Sequence, residues 1–154
     1  MNGRRIVVVD VVATGVFVVS TALAAAVFDG WAKVQGVVVA LALFSVGVAV
    51  FLWGYWTAVQ RSRHSEMAVA ELYFLMGPAI PRNAKRILLS CVIVQTVAAV
   101  TAALARPSTP AAGGGSTAGS TLAFGVLVPV LGLGLNGLWA AAHGDFPPRR
   151  RSIG

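Results

Sequence analysis

The chain predicts an all-α transmembrane four-helix bundle, N-in and C-in, with a short cytoplasmic interfacial helix, and three observations carry that expectation. Four apolar runs extend from Ile6 to Phe28, Val34 to Val59, Ile87 to Ala105 and Leu122 to Ala142. Each is close to the ~20 residues that cross roughly 30 Å of hydrocarbon as a helix. Of the 154 residues, 57% are hydrophobic and 11% charged, a balance foreign to soluble domains. Ten of the twelve Lys and Arg residues fall in three places: Arg4 and Arg5 before the first run, Arg61, Arg63, Arg82, Lys85 and Arg86 between the second and third, and Arg149, Arg150 and Arg151 after the fourth. Cytoplasmic loops keep Lys and Arg near span ends, so this distribution places both termini and the 60–86 connector in the cytoplasm of a multi-pass plasma-membrane protein.

Residues 1–154 thus read as a single transmembrane domain. The β-branched content of the runs would favour strands in water, but lipid admits only helices or a closed barrel, and four spans are too few for a barrel. The net charge of +7 borders the spans and forms no separate basic domain. Anionic lipid head groups near Arg4, Arg5, Arg149, Arg150 and Arg151 are therefore the expected counter-charge, and nucleic acid is not. The single cysteine, Cys91, sits inside an apolar run and packs as a small apolar residue.

The first run follows MNGRR and contains Ala22-Leu23-Ala24, which is similar to a secretory leader. Its length, its Asp10 and the further spans behind it favour a retained helix. The turn around Asp29 to Lys33 is short enough to make spans one and two antiparallel neighbours. Trp53, Tyr55, Trp56 and Trp139 fall toward the cytoplasmic interface and Trp31 at the external turn, as belt residues. From Ser65 to Met76 the connector carries Met67, Leu72, Tyr73, Phe74 and Met76 before Gly77-Pro78, which suits a short interfacial helix. Those five side chains are its candidate partner-docking surface.

The third run places Cys91, Gln95, Ala98 and Ala102 on one stripe, and the second does so with Gly36, Ala40, Gly47 and Gly54. The external loop at 107–120, built of Gly, Ser, Thr, Ala and Pro, is expected to be flexible and without ligand-binding character. In the fourth run Gly125, Pro129, Gly132, Asn136, Ala140 and His143 share a stripe, with Leu127, Leu131 and Leu138 opposite. Small residues are expected to face other helices and the leucines lipid, with Pro129 kinking the helix. Residues 144–154 form a basic tail. Arg5-Ile6-Val7-Val8 and Lys85-Arg86-Ile87-Leu88-Leu89 open two hairpins of nearly equal length, a hint of duplication.

Asp10, with Thr14 and Thr21 on its face, is the one ionisable residue well inside a run. Intramembrane carboxylates are expensive and functional by default, although Asp10 lies only roughly 7 to 8 Å along the helix from Arg5. Pairing with Arg86 is one expected resolution. Gln95 and Asn136 lie at similar depth, and a bond between them, or from either to Asp10, makes Asp10, Gln95 and Asn136 the candidate intramembrane polar cluster. His64 with Glu66, and His143 with Asp145, are short His-x-acid pairs whose spacing does not converge on a metal. No catalytic or cofactor motif appears, and no cofactor is expected.

The alanine, valine, glycine and arginine bias resembles small four-span integral membrane proteins of high-GC actinobacteria. That likeness is compositional and transfers no residue roles. A carboxylate in the first of four helices is also similar to the small multidrug resistance transporters, although here it lies shallower and the loops are longer. The leading expectation is a non-enzymatic accessory or assembly subunit of a larger membrane complex, with a membrane-protein partner or a homodimer. A small proton- or cation-coupled transporter using Asp10 is the alternative, and a lipid-acting membrane enzyme the third.

Overall fold

The computed structural model describes residues 2–27, 29–105, 108–110, 116–118 and 121–148. The chain folds as α1 (Gly3–Val27), α2 (Gly30–Arg61), α3 (Val69–Tyr73), α4 (Arg82–Ala105), the pair β1 (Ser108–Pro110) and β2 (Ser116–Ala118), a 3₁₀ segment (Thr121–Leu127) and α5 (Pro129–His143). Four helices, the last counted from Leu122 to His143, are long and apolar enough to cross a membrane. The basic residues Arg149, Arg150 and Arg151 lie outside the described residues.

The surface of these helices is built for lipid. On α1 the buried positions are Ile6, Asp10, Thr14, Phe17, Ser20, Thr21 and Ala24, while Val8, Val9, Val11, Val12, Val16 and Val19 are exposed. Polar inside and valine outside is upside down for water and correct for a bilayer. Hydroxyls on the outer faces bond within their own helices: Ser45, Thr57, Ser90 and Thr96 donate to the carbonyls of Leu41, Trp53, Arg86 and Val92 at 2.7 to 2.8 Å. Lipid offers no other partner. Trp31 and Trp53, 60% and 70% exposed, stand about 33 Å apart along α2 at 1.5 Å per residue. That separation matches the two edges of the hydrocarbon layer.

α5 is the central helix and packs on α1, α2, α3 and α4. Gly132 and Gly134 lie about 200° apart around it, so the backbone is accessible from opposite sides. A Cβ on Gly134 would meet Gly47 O at 2.8 Å and Phe51 N at 2.9 Å, and one on Gly54 would meet Leu138 N at 2.8 Å. α2 and α5 are therefore in backbone contact, the geometry that small residues permit in lipid.

This centrality corrects the reading of the fourth span. Leu131 is 2% exposed, and Leu127 and Leu138 are half-buried, because both α5 and the 3₁₀ segment before it pack on helices on more than one side. Pro129 occupies the first turn of α5, where its missing N–H costs nothing. The span changes there from 3₁₀ to α instead of kinking a continuous helix. The second hairpin consequently differs from the first, whose helices are both continuous. Trp139 is 7% exposed and is no belt residue; its Nε1 donates to Gly3 O at 3.2 Å and ties α5 to the first turn of α1. In the loop between α4 and the 3₁₀ segment Ser108, Thr109 and Pro110 pair with Ala118, Thr117 and Ser116, an antiparallel pairing the composition did not suggest. The rest of that loop lies outside the described residues.

The connector folds back onto the bundle. α3 has five residues, fewer than the 65–76 stretch suggested, because Leu75 at φ 52° and Gly77 at φ 88° turn the chain through the left-handed region. Leu75 holds that strained conformation with its side chain fully buried. Residues after α5 pair with the connector: Glu66 N donates to Pro147 O, and Asp145 N to Ala79 O, both at 2.9 Å. Phe146 packs into the same core as Leu72, Tyr73, Leu75, Ile80 and Trp139. Arg61, the last residue of α2, donates to the carbonyls of Ala141 at 3.0 Å and Gly144 at 2.8 Å, so its guanidinium caps the C-terminus of α5.

Candidate functional site: an intramembrane polar cluster

Asp10 and Thr14 project from one face of α1, Cys91 and Gln95 from one face of α4, and both faces are buried. Gln95 Nε2 donates to Thr14 Oγ1 at 2.7 Å and to Asp10 Oδ1 at 3.3 Å, with the Cys91 thiol beside the same carboxyl. Gln95 Oε1 faces α5, where a Cβ on Gly132 would meet it at 2.9 Å. Gly132 thus makes room for the amide between three helices. Among the described residues, Asp10 Oδ2 and Gln95 Oε1 find no hydrogen-bond partner.

Two of the three residues expected in this cluster do meet, and one does not. Asn136 is fully buried, yet its Nδ2 donates to Tyr73 O at 3.1 Å, because α3 enters the bundle beside α5 and offers an unused carbonyl. Asn136 therefore holds the connector in place. Arg86 is not the partner of Asp10: the Gln95 amide takes that position, and Arg86 is exposed on the outside of the α1–α4 seam.

Leu72 and Tyr73, expected on a docking surface, are buried. The Tyr73 ring stacks on Phe51 at 4.2 Å and 14°, lies over Gly137, and its hydroxyl donates to Phe51 O at 3.3 Å. Burial raises its ionisation above the ordinary tyrosine range. Met67 is half-buried against the core. Phe74 and Met76 remain exposed. The signal for this inward docking was Gly137, but a glycine in a span announces close approach without naming the neighbour.

A second polar pair lies nearer the other end of the bundle, where Gln35 Nε2 donates to Ser20 Oγ at 2.8 Å. Between the two layers Phe17, Ala40, Ala99 and Val128 form a buried apolar cluster. The polar groups are thus separated by an apolar septum. Among the described residues no three His, Cys, Asp or Glu side chains gather to hold a metal.

The chain matches no protein-family model, no curated protein and no solved structure.

Removing either half of the clamp measures it. Gln95→Leu takes the amide donor from Asp10 Oδ1 and is expected to destabilise the bundle more than Asp10→Asn does, since a buried acceptor left bare costs about 1 to 3 kcal/mol. A double-mutant cycle between Asp10→Asn and Gln95→Leu, read by unfolding in detergent micelles, should give a coupling of about 0.6 to 2 kcal/mol. Additive effects would mean that the bond contributes nothing.

Proposed function

We propose that this protein is a non-enzymatic integral membrane protein of the plasma membrane, with both termini in the cytoplasm, that serves as an accessory or assembly subunit of a larger membrane complex. The observation that carries the reading is an apolar groove of about 450 Å³ between α1, α2 and α5. Ile6, Val46, Val50 and Leu138 line it, with Ala49 and Ala142 among its small residues and Trp53 at its rim. Small side chains let a second helix approach closely in lipid. α2 supports the same reading, since its buried positions are confined to Ala32, Ala40, Gly47, Gly54 and Ala58, a single stripe of a 32-residue helix. The polar cluster contributes to stability through the Gln95 bonds to Thr14 and Asp10, and an apolar layer lies beneath it. Orientation rests on the Lys and Arg distribution, and anionic head groups near Arg4, Arg5, Arg149, Arg150 and Arg151 complete the arrangement.

Mild-detergent isolation of the tagged protein, followed by mass spectrometry, is expected to recover other membrane subunits in stoichiometric amount. Ala49→Trp should fill the groove and abolish that recovery while leaving the melting temperature unchanged. Recovery of the chain alone, or of a complex indifferent to Ala49→Trp, would defeat the proposal. A second reading, a small proton- or cation-coupled transporter, is favoured by the buried, unpartnered Asp10 Oδ2. It requires Asp10→Asn to stop transport by a folded protein in vesicles.

A further inference from the structure

The outer flank of the α1–α4 seam carries a furrow that the subunit reading does not use. At the N-terminal end of α1 a cleft of about 440 Å³ is lined by Arg4, Val7, Asn83, Ile87 and His143. Deeper in, a groove of about 340 Å³ is lined by Val11, Thr14, Arg86, Ile87, Ser90 and Val94. Ile87 borders both. On α1 the lining residues 4, 7, 11 and 14 recur every three or four positions, with Gly3 beside them, as do 83, 87, 90 and 94 on α4, flanked by Ala84, Arg86 and Cys91. Each set is one helical stripe, so the two hollows are successive parts of a single furrow.

Arg4 and Asn83 stand at the mouth. Arg86, exposed, borders the deeper part with Ser90 and Thr14, and Val7, Val11, Ile87 and Val94 supply the apolar sides. No acidic side chain lines either part among the described residues. From Arg4 to Thr14 the furrow runs about 15 Å at 1.5 Å per residue, which is one leaflet of a roughly 30 Å hydrocarbon layer. A partner helix would need a face running through both leaflets. A second copy of this chain would set Arg4 and Arg86 against like charge.

We infer that the furrow between α1 and α4 is a binding site for one anionic phospholipid, its phosphate held by Arg4, Asn83 and Arg86 and an acyl chain lying along Val7, Val11, Ile87 and Val94. The cations supply attraction at the surface, and the valine and isoleucine walls accept the chain without displacing water. The lipid belongs to the leaflet that holds the N-terminus of α1, and the site stands whether or not a partner subunit exists.

The test uses the full chain in nanodiscs of equal phosphatidylglycerol and phosphatidylcholine, released into the gas phase for native mass spectrometry. One retained phosphatidylglycerol per chain is expected. Arg4→Gln and Arg86→Gln should each lower that retention about fivefold, the effect of one basic residue at a membrane surface. Arg63→Gln, an exposed cation of the connector, should leave it within about twofold on the same scale. Val11→Trp should expel the lipid with all cations present. Equal retention of both lipids, equal loss in Arg63→Gln, indifference to Val11→Trp, or displacement by millimolar inorganic phosphate would each overturn the assignment. Melting temperatures recorded alongside separate lost lipid from lost fold, because Arg4, Arg86 and Val11 are all exposed.

Discussion

Gly134→Val is expected to part α2 from α5 and destabilise the bundle by about 3 kcal/mol or more, the upper range for overpacking a well-filled core. A Cβ at this position meets Gly47 O at 2.8 Å and Phe51 N at 2.9 Å. Both are backbone atoms of a continuous helix, so no rotamer change relieves the clash and the helix axes themselves must separate. That separation also lifts Phe51 away from Tyr73, which loosens the connector. Thermal unfolding in detergent checks it, and an unchanged midpoint would show that the two helices are not in backbone contact. Gly15→Ala is the matched control: nothing lies within 4 Å of its added Cβ, and it should stay within about 1 kcal/mol of the parent chain.

Tyr73→Ala is expected to cost about 3 to 5 kcal/mol, as for other large buried aromatic side chains. It removes the stack on Phe51 and the filling of the hollow over Gly137. The connector should then become a protease target at 62–81 while the spans remain helical. Tyr73→Phe keeps ring and stack and loses only the hydroxyl bond to Phe51 O, about 0.5 to 1.5 kcal/mol. The sign of the pH effect follows from burial. Because the folded ionisation is raised above its ordinary value of 10.0, this hydroxyl's contribution is complete below that value and declines as pH rises past it. Tyr73→Phe should remove this hydroxyl's share of the decline. Equal protease resistance in the parent and Tyr73→Ala would show that the ring does not anchor the connector.

The Asp10 cluster shows how far a pattern carries. Helical spacing alone put Asp10 and Thr14 on one face of the first span and Gln95 on the small-residue face of another, because a polar group in lipid must turn toward protein. The partner was not legible. Asn136, Arg86 and Gln95 were all chemically acceptable, and the choice depended on which helix lies beside α1. In the structure that helix is α4, and Asn136 points instead to a carbonyl carried by the connector.

The burial of Tyr73 and Leu131 is not legible in the sequence for a related reason. An apolar residue beside a span can face lipid, an interface or the protein core, and hydrophobicity is equal in all three. Glycine density was the available clue. Gly132, Gly134 and Gly137 sit on different sides of one helix, which is the mark of a helix with neighbours all round.

What the chain determined by itself was the number of helices long and apolar enough to cross a membrane and the inward direction of the polar groups. These depend on one-dimensional quantities: the length of apolar runs set against bilayer thickness, and the cost of an unsatisfied polar atom in hydrocarbon. Tertiary structure alone decided that α5 is central, that Tyr73 inserts beside it, and that Gln95 meets Asp10. Those outcomes turn on backbone approach at single glycines, and helix neighbours in lipid are selected by shape, since lipid offers apolar side chains no penalty for staying apart.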